Sequence, residues 1–355
     1  MLAALARRPA PILIAGLLIA LGLVLAAAGV DPWSAGAVLW RGAFGSWYAL
    51  SATLIRATPL ILTGLAVAVA FSAGVFNIGA EGQLLVGATA ATWVALRLGP
   101  HTGFLTIPTV LLAGAAAGAG WAGIAAWLRL RFEVLEVIST LMLNFVAGFL
   151  VSYLVRGPLQ EPLRIYPQSS SIPRGAQLPA LVPGARLHIG FAIAVAACVA
   201  AWWVLRATAA GFRLRATGAS PTAAWSAGLI PVGRTMATAF LVSGALAGLA
   251  GAIEVTGVTY ALYEDLSPGY GFTAIAVALL AGLNPIAVVG SGILFGALEA
   301  GSGALQRDAG VPAVVVSVVE ATLILVLVAL NRVRLPSSGS GGGGSPGAVR
   351  ASEAG

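Results

Sequence analysis

The octet Phe76-Asn77-Ile78-Gly79-Ala80-Glu81-Gly82-Gln83 sets two amides and a carboxylate, spaced by glycines, between two long apolar runs. Asn77 and Gln83 can each donate and accept hydrogen bonds, Glu81 can accept from hydroxyls, and Phe76 offers a stacking face. In lipid, such a break survives only where protein or a water-filled path surrounds it. Two readings stand. One is an interrupted helix of the kind that builds solute sites in transporters; the other is a cytoplasmic turn joining two spans. If a helix restarts near Gly79, Asn77 lies beside its free N–H groups. Glu81 in the first turn then stabilises that terminus by about 0.3–1 kcal/mol. That structural role stands beside solute contact with equal weight.

Other polar groups in apolar surroundings extend the set. Thr140 and Asn144, four apart, share a helical face with Ser139 adjacent; they line a path or bond between helices. A second interruption, Tyr260 to Gly271, carries Glu264 and Asp265 and leads straight into another apolar run, as the first does. Paired breaks in corresponding places of two inverted halves point to a binding path between repeats. Glu254, Glu299 and Glu320 lie within or near later spans, and the first two read as helix-end residues. Cys198 is the only cysteine, and His101 and His188 flank different spans, so no metal cluster or intrachain disulfide is expected. All 19 basic residues are arginine. Without lysine there is no Walker A site and no Schiff-base chemistry.

The elements that position these groups are transmembrane helices. Of 355 residues, 59% are hydrophobic and 9% charged, where a soluble domain carries about 25% charged residues; the mean hydropathy is +0.96. The net charge of +7 comes from scattered arginines, with no basic run suited to nucleic acid. Apolar runs of roughly 20 residues fall at 11–30, 57–76, 82–98, 104–128, 134–155, 188–206, 235–258, 270–283 (short), 285–305 and 311–331. The expected fold is all-α: about ten transmembrane helices, with two inverted repeats suggested by the paired breaks. Arg7 and Arg8 precede the first run, which reads as a span and not a cleaved leader. Positive-inside placement puts both termini in the cytoplasm. The organisation is then a cytoplasmic 1–10, a membrane domain over 11–332 and a disordered Gly/Ser-rich tail over 333–355. The Pro-rich loop 156–187 falls outside, as a docking surface or a plain irregular connection.

The inside loop 207–234 contains a helix signature. Ser220 suits the N-cap, Pro221 the first helical position and Gly228 the C′ site. Two turns of helix are marginal alone in water and need a surface, either lipid headgroups or a partner protein. Arg213 and Arg215, just before it, can pair with acidic groups on that partner or with anionic lipid.

The run Arg215-Ala216-Thr217-Gly218-Ala219-Ser220-Pro221-Thr222-Ala223-Ala224, followed by Ala227-Gly228, resembles the coupling-helix segment of bacterial ABC importer permeases of the simple sugar and nucleoside branch. The octet Phe76–Gln83 is similar to the signature of the nucleoside-type members. Glu136-Val137-Ile138-Ser139-Thr140-Leu141-Met142-Leu143-Asn144 matches a third family stretch, with Leu135 where the family usually has Asn. The resemblance spans about residues 10–332. It implies a permease subunit in the bacterial inner membrane that passes a nucleoside or simple sugar and is not itself an enzyme. It implies a substrate path through Phe76, Asn77, Glu81, Gln83, Thr140, Asn144 and Glu264. ATPase coupling falls to Arg213, Arg215, Gly218, Ala219, Ser220, Pro221 and Gly228. The implied partners are a cytoplasmic ABC ATPase holding ATP and Mg, a second permease subunit, homologous and not identical, and an extracytoplasmic binding lipoprotein, with no cofactor on this chain. The competing class is an ion-coupled secondary transporter of a small polar solute.

Overall fold

The computed structural model describes residues 31–99, 105–181, 186–228 and 230–308, with scattered positions between 16 and 29, at 103 and between 310 and 326. The expected N-terminus 1–10, most of the runs 11–30 and 311–331, Glu320 and the tail 333–355 lie outside the described residues. Among those described there are eleven α-helices and no strand, only isolated bridges.

The helices are α1 (Pro32–Phe44), α2 (Trp47–Ser72), α3 (Ala80–Leu98), α4 (Thr106–Phe132), α5 (Glu136–Val155) and α6 (Gly190–Ala207). They continue as α7 (Ala209–Ala219), α8 (Pro221–Ser226), α9 (Val232–Glu254), α10 (Tyr270–Leu280) and α11 (Pro285–Asp308). Polar caps start several of them. Asp31 accepts from the Ser34 amide at 2.8 Å beside Pro32 at the first turn of α1, and Ser46 accepts from the Ala49 amide at 3.1 Å at the start of α2.

Among the described residues, six helices are long and apolar enough to cross a membrane: α2, α4, α5, α6, α9 with its continuation to Thr259, and α11. The span expected at 270–283 is the 11-residue α10. At 1.5 Å per residue it covers only about half of the roughly 30 Å hydrocarbon core. The span expected at 57–76 begins ten residues earlier, at Trp47. In its first turns Ser51 and Thr53 are buried and Arg56 pairs with Glu299, so these polar residues break the hydropathy pattern without breaking the helix.

α2 is the axis of the bundle. Its residues from Ala57 to Ala70 are buried without interruption, and α6, α9, α10 and α11 pack around it. α4 closes on α9 through small residues: a Cβ added at Gly118 would lie 2.3 Å from the Gly244 carbonyl oxygen. That close packing is what the Gly- and Ala-rich stretches lead one to expect.

The loop 156–187 is built into the fold. Its Ser169, Ile172 and Leu178 amides each donate at 2.8 Å to the carbonyls of Leu262, Tyr260 and Thr256. These bonds satisfy carbonyls that the π-helical end of α9 (Val255–Thr259) and the chain after it leave free. At the opposite end of α9, the loop 207–234 holds two helices, α7 and α8, where the sequence signals only one.

Candidate functional site

α2 ends beside α7. Gly74 takes a left-handed φ of +74°, and a Cβ on it would meet the Gly218 Cα at 3.2 Å. From there the chain turns back into the bundle, because Asn77 is bonded to Ser243, about halfway along α9. α3 therefore starts inside the protein and not at a surface.

A closed hydrogen-bond network pins this return. Fully buried Asn77 donates to Gln83 Oε1 at 3.0 Å and to Ser243 Oγ at 2.9 Å. Its own oxygen accepts from the Gly79 amide at 2.9 Å and from Gln83 Nε2 at 3.0 Å. From α5, Asn144 accepts the Gly82 amide at 2.8 Å and donates to the Ile78 carbonyl at 2.9 Å, and Thr140 accepts the Ile78 amide at 3.3 Å. α3 has no side-chain cap of its own, so Asn144 satisfies one of its free first-turn amides from a neighbouring helix.

The second break folds in the same manner. After α9 the chain passes under loop 156–187 at Tyr260–Leu262 and then re-enters the bundle to start α10. The Gly271 amide donates to Glu81 Oε2 at 2.7 Å, so the carboxylate sits against the N-termini of both α3 and α10. No side chain fits at 271, since a Cβ there would lie 2.1 Å from the Glu81 nitrogen.

Of the seven expected path residues, Asn77, Glu81, Gln83, Thr140 and Asn144 are thus gathered in one place. Phe76 adjoins them, half exposed, with its ring 5.2 Å from that of Phe71. Glu264 stands apart at the far end of α5, bonded to Arg156 Nε and Nη2, both at 2.7 Å, and to the Ser152 hydroxyl. Those donors hold its carboxyl down at about 2; the same contact raises Arg156 above its ordinary range. The polar atoms of Asn77, Gln83 and Asn144 are engaged within the protein, leaving the Phe76 ring as the open face of the octet.

A cavity of about 1080 Å³ lies between α1, the first half of α2, the end of α9, the last turns of α11 and loop 156–187. Arg56 on α2 meets Glu299 on α11 at 2.6 Å in its wall, with Glu254, Tyr263 and Tyr270 alongside. Sequence reading set Glu254 and Glu299 aside as helix ends and did not weigh Arg56. The available signal was three ionisable groups in apolar helices; the boundary placed at residue 57 put Arg56 outside its helix.

On the loop at the other end, the expected cap forms. Ser220 Oγ accepts the Ala223 amide at 3.2 Å, Pro221 opens α8, and Gly228 has φ +71°. Every residue of α8 except Ala224 is exposed, Trp225 included. Arg213, Arg215 and Ala219 are exposed as well, and neither arginine makes an ion pair among the described residues. Gly218 faces inward. A Cβ on it would lie 2.3 Å from the Ser72 carbonyl oxygen.

Residues 49–328 match the protein-family model described as branched-chain amino acid transport system / permease component. The chain is 42% identical to the glucose ABC transporter permease protein TsgB13 of Haloferax volcanii, over 86% of this chain and 83% of that one. It is 39% identical to the guanosine ABC transporter permease protein NupP of Bacillus subtilis, over 88% of this chain and 90% of that one. A second Bacillus subtilis guanosine permease, NupQ, is 29% identical over 69% of this chain and 78% of its own length. No solved structure matches this chain.

Proposed function

Because this chain belongs to the branched-chain amino acid transport system permease-component family, we propose that it carries a nucleoside or simple sugar across the bacterial inner membrane. It is the multi-pass permease subunit of an ABC importer, a transport subunit and not an enzyme. An ATPase and a binding protein complete such a system. The solute class rests on the relatives, a glucose and a guanosine permease similar over more than four-fifths of the chain. An ion-coupled carrier finds no support in that family.

The observation that carries the mechanism is the pair of inward-returning breaks that meet at Glu81 and Gly271. Each follows a long helix, and each returns the chain to the bundle interior before a new helix starts. This supports two inverted halves, and the six long helices, α3, α10 and the apolar runs at 11–30 and 311–331 make ten segments in all. In this reading Asn77, Gln83, Thr140 and Asn144 hold the break in shape, Glu81 joins the halves, and Phe76 presents a ring to the passing solute. Glu264 with Arg156 clamps the extracytoplasmic end.

The exposed α8, with Arg213, Arg215 and Ala219 beside it, faces the cytoplasm and docks on the ATPase, which holds ATP and magnesium. Gly218 lets α7 lie against the end of α2, so motion of α8 reaches the break. Both termini are then cytoplasmic and loop 156–187 faces the binding lipoprotein. The partner permease is a paralogue. Bacillus subtilis has two guanosine permeases, and this chain is markedly closer to NupP than to NupQ.

Purifying the tagged chain with its neighbouring gene products tests the assignment. Recovery of an ATPase and a second permease, with hydrolysis raised by guanosine- or glucose-loaded binding protein, is the expected result. A lone protein that moves solute down an ion gradient would overturn it.

A further inference from the structure

The cavity between α1, α2, α9, α11 and loop 156–187 contains a carboxylate that the fold does not use. Glu254 is only 5% exposed, yet it forms part of the cavity wall. Among the described residues no hydrogen bond or ion pair reaches its carboxyl group, and Arg56 across the cavity is bonded instead to Glu299 at 2.6 Å. Two further wall residues, Ser51 and His188, are buried with Oγ and Nε2 unpartnered. Buried polar atoms left without partners cost free energy, and a protein keeps them where a ligand or a functional state supplies the partner. The volume, about 1080 Å³, is just above the range of small-molecule pockets, roughly 300–1,000 Å³.

The wall also limits the chemistry of an occupant. It carries four arginines, Arg41, Arg56, Arg186 and Arg307. Against them stand four acidic residues, Glu254, Asp265, Glu299 and Asp308, as many as the basic ones. No excess of one sign among these groups selects a cation or an anion. A neutral ring with several hydroxyls finds both acceptors and donors in such a wall: carboxyl oxygens accept from hydroxyls, and guanidinium and tyrosine groups donate. Tyr48, Tyr263 and Tyr270 add aromatic surface for the apolar face of such a ring.

We infer that this cavity is a binding site, within a single permease chain, for a neutral polyhydroxylated ring, with Glu254 accepting from its hydroxyls. The inference rests on the nucleoside-or-sugar reading and adds a place where the ring is held. It differs from the break at Asn77–Gln83, whose polar atoms already have partners.

Equilibrium binding of radiolabelled guanosine and glucose to the assembled importer, reconstituted without its binding protein, tests the site, with arginine and inorganic phosphate as charged probes. Saturable binding of a neutral probe, and of neither charged one, is expected. Glu254→Leu keeps bulk and removes every hydrogen-bonding atom; affinity should fall about tenfold, as for a lost hydrogen bond. Ala52→Phe fills the cavity from α2 and leaves Glu254 in place, should weaken binding similarly, and decides the matter if the first variant does not assemble. Unchanged affinity in an assembled variant would place the ligand elsewhere and overturn the site. So would import of a neutral probe with no direct binding, or saturable binding of arginine or phosphate in its place. Failure of the complete importer to take up either neutral probe would instead sink the underlying solute assignment.

Discussion

Glu81 Oε2 and the Gly271 amide, 190 residues apart in the chain, are joined at 2.7 Å. One carboxylate thereby holds the start of α10 while sitting in the first turn of α3. A break that returns the chain into a bundle leaves helix N-termini where no water reaches them, and an acidic side chain is the group best suited to satisfy them.

Glu81→Ala should therefore leave the Gly271 amide unpaired and lower stability by about 1.5–3 kcal/mol, the range for hydrogen bonds to charged groups. Glu81→Gln keeps an acceptor and should recover part of that loss. Thermal unfolding in detergent, read beside uptake in cells, checks both. If the alanine variant matches the unaltered protein in both assays, the Glu81–Gly271 contact does not hold the two breaks together.

Asn144→Leu removes the partner of the Gly82 amide and of the Ile78 carbonyl together. Each orphaned buried group costs about 1–3 kcal/mol, so the variant should lose thermal stability and assemble poorly. Full stability combined with lost uptake would assign Asn144 to the solute and not to the break.

Gly218→Ala places a methyl group 2.3 Å from the Ser72 carbonyl oxygen. α7 must then move off the end of α2 while the spans remain intact. The expected result is more ATP hydrolysed per solute imported by the reconstituted complex, with the complex still formed. An unchanged ratio would show that the Gly218 contact plays no part in coupling.

The Glu264 carboxyl is held at about 2 by its bonds to Arg156 and Ser152, below its ordinary 4.5. A lowered carboxylate pKa means stability that is fully present above the unfolded value and lost as pH falls through the folded one. Glu264→Gln should therefore lower the thermal midpoint by a constant amount from pH 8 to pH 5. The difference should shrink only below about pH 4.5. A gap that closes already between pH 7 and pH 5 would show that the pairing with Arg156 does not control this carboxylate.

Much of the site's local character was legible in the residues themselves. Composition alone pointed to a membrane, because 9% of the residues are charged where a soluble domain carries about 25%. Ser220, Pro221 and Gly228 marked α8 because capping depends on neighbours a few residues away, and the structure forms that cap. The small residues of α4 and α9 announced their close packing for the same local reason. Asn77, Gly79 and Glu81 located the first break.

Only the tertiary structure decided what those groups touch. That Asn144 holds Ile78 and Gly82, that Glu81 reaches Gly271, and that Arg56 meets Glu299 across 243 residues all depend on which helices lie side by side. In a membrane protein a face turned to lipid and a face turned to protein are both apolar. Hydropathy therefore marks where a helix runs and not which neighbour it meets, and it misplaced the start of α2 because buried polar residues looked like a boundary. The cavity at Glu254 follows from that same packing, and it exists only once five separate elements have come together around it.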